Sequence, residues 1–262
     1  MKLLSFNISA FEENNEKLHS FFQKNTFDMI CLQEVTRKVQ SHAKDSYETK
    51  PIIDSQTPQL TNSFYSPNCI MESFVKPGFS AFGGQMDFGL YTKTLHRVKK
   101  AEQIYVQNNY TYISDWSNWP EEDYRSFQVV DIETDNKNNL RVINYHGIWT
   151  RDKLGTDLAL QACEMIAKKA TEKQYPTIIC GDFNLFPETE AMKIFDTNYI
   201  NLSNAYNIRS TRPASNELDT KPRNVVDYII VSKDIEVTNF GVLHEEVSDH
   251  LTLVLEFDLF QK

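Results

Sequence analysis

The stretch Thr177-Ile178-Ile179-Cys180-Gly181-Asp182-Phe183-Asn184 most constrains what this chain can fold into. An apolar run closed by a Gly reads as a buried strand, and just past its end come a carboxylate and a carboxamide two residues apart. On extended chain such residues point to the same side, so Asp182 and Asn184 can address one substrate atom. Four other strand ends carry the same kind of cargo: Asn7 after 3–6, Glu34 after 29–33, His146 after 142–145, and Asp249-His250 ahead of 251–255. Polar ends spread from residue 7 to residue 250 need a shared core to meet, so the 262 residues are read as a single domain, 1–262.

Composition allows that core, with 40 % hydrophobic residues. The excess of 36 acidic over 27 basic residues, a formal charge of −9, argues against a surface that grips long polyanions nonspecifically. Cys31 and Cys180 sit in apolar strand runs, Cys163 on a helical pattern and Cys69 in a polar loop, with no CxxC. This usage reads as reduced thiols and a cytoplasmic setting. No targeting segment or long apolar stretch supports secretion or stable membrane insertion, and a monomer is expected.

Along the chain, residues 2–8 read as a strand, 9–24 as a helix with Phe11, Leu18, Phe21 and Phe22 on its period, and 27–32 as a second strand, which opens a layered α/β domain. Residues 37–79 lose periodicity and read as a helix remnant, loops and short strands. Gly83-Gly84 reads as a turn, and 88–91 as a strand. Residues 98–106 and 127–132 alternate in the manner of half-buried antiparallel strands. Tyr110, Tyr112, Trp116 and Trp119 lie in a long aromatic loop that either lines a cleft or folds back on the surface. Residues 135–139 read as a hairpin turn, 156–173 as a helix, and 191–195 as a short one. The pattern then breaks after Asn198 until the strong strand 225–231, which carries Asp227 near its start, and the last strand, 251–257.

The polar set defines a chemistry. Asn7, Glu34 and Asp249 are hard oxygen ligands suited to Mg²⁺ or Mn²⁺. His146 and His250 can donate to a phosphate oxygen or exchange a proton, and Asp182 and Asp227 can orient or deprotonate. No Ser, Cys or Thr stands in a nucleophile elbow, so activated water attacking phosphorus is the reaction this inventory fits. Each residue also has a plainer account: Asn7 as a strand-end group, Glu34 as a helix-start acid, His146-Gly147 and Asp249-His250 as turns. Asp227 resists one, because a buried carboxylate needs a partner, and His250 is the candidate.

In this order and over the whole chain, Phe6-Asn7, Leu32-Gln33-Glu34, His146, Gly181-Asp182-Phe183-Asn184, Asp227-Tyr228 and Ser248-Asp249-His250 resemble the endonuclease/exonuclease/phosphatase superfamily. The resemblance implies a DNase I-like α/β (α+β) fold, a four-layer α/β-sandwich of two mixed β-sheets flanked by helices, and Mg²⁺-dependent phosphoester hydrolysis. It implies that Glu34 is the main metal ligand with Asn7 and Asp249 close by, that Asp182 activates or orients water, and that Asn184 holds the phosphate. His250 paired with Asp227 would contact the scissile phosphate, and His146 matches a position where deoxyribonucleases and 5-phosphatases carry His. Ser9 stands where abasic endonucleases carry Asp, which puts a second metal position in doubt. Asp87 is a candidate acid partner for His146. Candidate phosphate contacts are Arg151, Lys153, Arg209, Arg212, Lys221 and Arg223, and Trp149 could stack on a ligand or belong to the core. The substrate expected is a phosphoester in a small molecule, a lipid head group or a nucleic-acid end. A phosphodiesterase or nuclease stands beside a phosphomonoesterase on a nucleotide or inositol phosphate, and beside a binding protein that lost the chemistry.

Overall fold

The computed structural model describes residues 1–9, 15–39, 48–74, 82–113, 124–215 and 224–260, the side chains of 72–74, 82–84 and 111 excepted. In chain order the elements are β1 (Lys2–Asn7), α1 (Asn15–Lys24), β2 (Met29–Lys38), α2 (Lys50–Gln56), β3 (Asn62–Phe74), β4 (Phe82–Thr94), β5 (Arg97–Tyr105), β6 (Thr111–Ile113), β7 (Ser126–Glu133), β8 (Asn139–His146), α3 (Asp157–Thr171), β9 (Thr177–Asp182), α4 (Glu190–Lys193), β10 (Tyr199–Asn201), α5 (Leu202–Ala205), β11 (Asp227–Ser232), β12 (Ile235–Leu243) and β13 (Thr252–Leu259). They build two mixed sheets, ordered β12-β13-β1-β2-β4-β3-β6 and β10-β11-β9-β8-β7-β5.

The period-2 alternation of strand side chains sorts residues into layers. On β1, Leu4 and Phe6 join Leu18, Phe21 and Phe22 of α1 outside the first sheet. Leu3 turns inward to meet Val142, Ile178 and Ile229 of the second. On β9, Ile179 packs outward with Ala162, Cys163 and Ile166 of α3, while Ile178 and Cys180 face the first sheet. Helices therefore flank two face-to-face sheets, the four-layer arrangement the resemblance implies. Helix α3 starts where Thr156 accepts a hydrogen bond from Ala159 N at 3.2 Å, and Lys168 and Lys169 in its last turn complement the helix dipole.

The same alternation aims polar residues at one end of the sandwich. Continuing the inward series Ile178-Cys180 brings Asp182 to the inner face, and continuing Val142-Asn144 brings His146. Asp182 is the register partner of both His146 and Asp227, so three neighbouring strands present a row of polar groups toward the other sheet. Opposite, β1 ends in Asn7, paired with Gln33 on β2.

Several expectations need correction. Strand β7 is buried along nearly its whole length, not half-buried, because Val130 and Ile132 face the other sheet while Phe127 and Val129 face α3. Part of the supposedly aperiodic 37–79 stretch is a 13-residue strand, β3, and it buries Cys69. Its period is masked by polar residues, Ser66 and Asn68, that turn inward and find partners. Gly83 and Gly84 lie inside β4, at the register shift between the pairs Phe82↔Phe74 and Gln85↔Glu72, and make no turn. The break after Asn198 holds β10 and α5. Residues 10–14 of the expected first helix, and Trp116 and Trp119, lie outside the described residues.

One buried ion pair ties the second sheet together. Asp131 and Arg141 are register partners on β7 and β8, 2 % and 1 % exposed, joined at 2.7 and 3.1 Å, and Lys173 reaches Asp131 at 2.7 Å. Burial opposes ionisation of Asp131, but Arg141 and Lys173 outweigh it and hold the carboxyl below its ordinary range. A depressed carboxylate contributes stability that is present above the unfolded pKa, about 3.9, and is lost as pH falls through the folded value. Asp131→Asn should cost about 3–5 kcal/mol at neutral pH by stranding Arg141. Urea melts at pH 7 and pH 3 check this: wild type should lose more stability between them than the variant, and equal losses would refute the pair's role.

Candidate active site

Glu34 reaches the site through a backbone irregularity. Between the pairs Leu32↔Tyr91 and Val35↔Gly89 the register of β2 shifts, so Gln33 and Glu34 together span one residue of β4. Glu34 adopts φ +62°, an uncommon conformation for a side chain of this kind. A bulge of this sort re-aims a side chain, and here it lets consecutive residues serve two purposes. Gln33 stays between the sheets, its Nε2 donating to Asn144 Oδ1 at 2.7 Å, while the Glu34 side chain stands at the sandwich end, 14 % exposed.

Asp182 is the hub of what assembles there. It is 1 % exposed. Asn7 Nδ2 donates to Asp182 Oδ2 at 3.0 Å and to Glu34 Oε1 at 3.1 Å, cross-linking the sheets at their ends. Asn184, in the left-handed region at φ +55°, donates its backbone N–H to Asp182 Oδ1 at 2.9 Å. The nitrogen His146 Nε2 lies 3.7 Å from Asp182 Oδ2 and 3.6 Å from Glu34 Oε1. From the other side His250 Nε2 lies 3.5 Å from Asp182 Oδ2. Two glycines permit this closeness: a Cβ on Gly181 would fall 1.9 Å from Tyr145 O, and one on Gly147 would fall 2.0 Å from Phe183 O.

The two imidazoles are held in different states. His250 directs Nδ1 at Asp227, 2.9 and 3.0 Å from its two oxygens. Burial disfavours the imidazolium and Arg212 adds to that, yet Asp227, Asp182 and Asp249 together raise the His250 pKa, so Nδ1–H donates to Asp227. Burial pushes the Asp227 carboxyl up, with His250 pulling the other way. His146 is pushed well below its ordinary value, first by burial and then by Arg125, whose Nη1 lies 2.8 Å from Nδ1. The ring is therefore neutral, and the same Arg125 nitrogen also lies 3.1 Å from Nε2, so Arg125 borders both ring nitrogens. Asp182 goes the opposite way from a lone buried acid: burial opposes ionisation, but His250, Arg212 and Lys153 drive its pKa far below the ordinary range.

All eight residues singled out from sequence, Asn7, Glu34, His146, Asp182, Asn184, Asp227, Asp249 and His250, lie in one contiguous network. Asp249 joins at the rim, its Oδ1 3.9 Å from His250 Nε2 and its Oδ2 accepting from Arg212 at 2.7 Å. Ser248 fastens this turn to β1, donating to Asn7 O at 2.8 Å. Asp87 is not the partner of His146: its carboxylate is taken by Arg37 Nε at 3.0 Å and Tyr110 at 2.7 Å. Of the six candidate phosphate contacts, Lys153 and Arg212 reach the site, Arg151 and Arg209 are exposed, and Lys221 and Arg223 lie outside the described residues. Trp149 is half-buried with its ring 4.8 Å from Lys153 Nζ. Sequence reading missed Arg125, a lone Arg just ahead of β7 with no motif around it.

The donor set fits a hard divalent cation. Asp182, Asp227 and His250 alone offer ligand atoms within 4.8 Å of one another, and no thiolate is among them. Since His250 Nδ1 and Asp227 are committed to each other, Asp182 and its neighbour Glu34 keep oxygen lone pairs for a cation.

Asp227→Asn should lower the His250 pKa in the metal-free protein, because it removes a charge that favours the imidazolium. Histidine-resolved NMR titration of wild type and variant measures this, and an unmoved titration would show that Asp227 does not govern the ring.

Residues 4–250 match the Endonuclease/Exonuclease/phosphatase family. Nocturnin of Xenopus laevis is 34 % identical over 133 residues, an alignment spanning 42 % of this chain and 33 % of that protein. Among solved structures, an endonuclease/exonuclease/phosphatase from Beutenbergia cavernae superposes with TM-score 0.71 at 12 % identity, covering 99 % of this chain and 71 % of that one. A mannosyl-6-phosphatase of Bacteroides thetaiotaomicron gives TM-score 0.67 at 14 % identity, covering 99 % of this chain and 100 % of that one. The catalytic domain of human nocturnin with bound sulfate gives 0.66 at 17 %, covering 99 % and 94 %. At these identities the structural likeness is one of fold. With the family match running through both the first strand and the Ser248-Asp249-His250 turn, the chain belongs to the endonuclease/exonuclease/phosphatase family.

Proposed function

We propose that the chain is a divalent-metal-dependent phosphoesterase that cleaves its substrate by direct attack of water on phosphorus. The observation that supports this most is the line Asp227–His250–Asp182, an oriented imidazole and a strongly ionised carboxylate beside the oxygen donors of Glu34. Glu34 would hold Mg²⁺ or Mn²⁺, with Asn7 and Asp249 beside it. Such an ion supplies positive charge for the phosphoryl oxygens.

The remaining work falls to the chain's own groups. Asp182, held ionised, accepts a hydrogen bond from the attacking water and orients it as the water oxygen bonds to phosphorus and the ester oxygen departs with the water's proton. His250, fixed by Asp227, presents Nε2–H to a non-bridging oxygen. His146 adds a neutral imidazole to the same cluster, its Nε2 beside Asp182 and Glu34. Asn184 braces Asp182 through its backbone N–H and accepts from Lys153 with its carboxamide oxygen. Burial of these groups strengthens each of these interactions by excluding water. A binding protein would have no need for all eight of Asn7, Glu34, His146, Asp182, Asn184, Asp227, Asp249 and His250 in one network, which makes the non-catalytic alternative the weaker one.

Turnover of p-nitrophenyl phosphate and bis-p-nitrophenyl phosphate with Mg²⁺, Mn²⁺ or chelator tests the reading. At least one ester should be hydrolysed with metal and neither with chelator. Glu34→Ala should abolish both turnover and Mn²⁺ binding, followed by electron paramagnetic resonance, while its thermal melt stays close to wild type. Wild-type activity in that variant would remove Glu34 from the metal site.

A further inference from the structure

Besides the carboxylates and imidazoles, three buried cations border the site, and the chemistry above gives none of them a direct contact with the substrate. Arg125, Lys153 and Arg212 are 2 %, 8 % and 8 % exposed. They come from three separate parts of the chain: just ahead of β7, between β8 and α3, and between α5 and β11. Each meets the hub from its own side, Arg125 at His146, Lys153 at Asn184 and Arg212 at Asp249. They also act on one another, since both arginines disfavour the charge on Lys153.

Lys153 is the most informative of the three. Its backbone is held in the left-handed region at φ +58°, with its carbonyl accepting from Phe186 N at 2.9 Å. The side chain runs past the Trp149 ring and donates to Asn184 Oδ1 at 2.5 Å. A buried ammonium is ordinarily met by a carboxylate, and here the acceptor is a neutral carboxamide. Burial pulls the Lys153 pKa down to about 8, Asp182 offsets this only in part and both arginines add to it, so a further anion beside the ammonium would relieve the cost.

We propose that Arg125, Lys153 and Arg212 form an anion clamp that commits the site to terminal phosphate monoesters in preference to internal diesters. The inference rests on the phosphoester reading of the site. A monoester dianion presents three non-bridging oxygens and a single ester arm. A diester presents two such oxygens, one charge, and two arms that must both leave the site. Cationic donors approaching from three sides match the first pattern, because charge-assisted hydrogen bonds to separate phosphoryl oxygens add charge and direction together. Depth favours it too: with His146, Asp182, Asn184 and His250 all at most 2 % exposed, one arm has a way out more readily than two. The clamp also gives a chain of overall charge −9, which disfavours long polyanions at a distance, cationic donors placed for a small dianion.

The test compares methyl phosphate with dimethyl phosphate as ligands of the full chain by titration calorimetry at pH 7, where the first is mainly dianionic (second pKa about 6). Wild type should bind methyl phosphate at least about tenfold more tightly, the scale of one added charge-assisted contact. Lys153→Met should erase most of that preference and Lys153→Arg should keep it. The kcat/KM ratio for phenyl phosphate over methyl phenyl phosphate should fall in parallel by about tenfold in Lys153→Met. Equal binding of the two ligands by wild type would overturn the clamp, and so would an unchanged ratio in a Lys153→Met protein with a native melt. The wild-type comparison decides alone should that variant not fold. Binding preference without hydrolysis of either ester would leave the clamp standing and sink the hydrolase reading. Metal-dependent cleavage of the diester in preference would do the reverse.

Discussion

A carboxylate cannot stay buried without compensation, and Asp182 is 1 % exposed. The rest of the site can be understood as what that carboxylate requires. It takes a hydrogen bond from the Asn7 side chain on the opposite sheet, a backbone N–H from Asn184, and charge from His250. His250 in turn is fixed by Asp227, which is itself a buried acid and would not be tolerated without the imidazole. Removing any member strands another. This interdependence lets the site hold strongly perturbed acids and bases in fixed positions.

The fold supplies the positions cheaply because it uses one rule, strand alternation, on both sheets. Inward-facing apolar residues fill the space between the sheets, and where each strand runs out the next inward residue is polar: Asn7, His146, Asp182, Asp227. A polar layer lies beneath that end, in which Gln33 and Asn144 hydrogen-bond across the sheets and Gln128 reaches Ser66 and the Leu90 carbonyl. These contacts satisfy groups that would otherwise be costly to bury, and they fix the separation of the two sheet ends on which the alignment of Glu34 and Asp182 depends.

Strand ends with polar cargo are legible in sequence because each combines an apolar run with a polar residue at the next inward step. Asp227 and His250 are legible as a pair because a carboxylate inside an apolar run has to be matched. The two-sheet fold is reachable from the ordered motifs by family resemblance. Other features depend on long-range geometry that local pattern does not encode. The bulge that aims Glu34 is a register shift against β4, invisible from β2 alone. Strand β3 carries inward Ser66 and Asn68, whose partners lie on another sheet, so its alternation looks like loop. Arg125 sits in no motif, and its place beside His146 follows only from the pairing of β7 with β8. The absence of a local Lys/Arg cluster in sequence likewise conceals one in space, since Arg125, Lys153 and Arg212 meet only through the fold.

The central claim is that Asp182 and His250 act as one unit on one water and one phosphate. A double-mutant cycle on p-nitrophenyl phosphate with Mg²⁺ or Mn²⁺, using Asp182→Asn, His250→Gln and the two combined, measures it most directly. Each single replacement should slow kcat by about 10²–10⁴-fold, the range of a positioned acid–base group. The double variant should be little worse than the slower single one, because removing either member already disables the unit. Losses that multiply fully would mean that the two groups act independently, and would contradict the account.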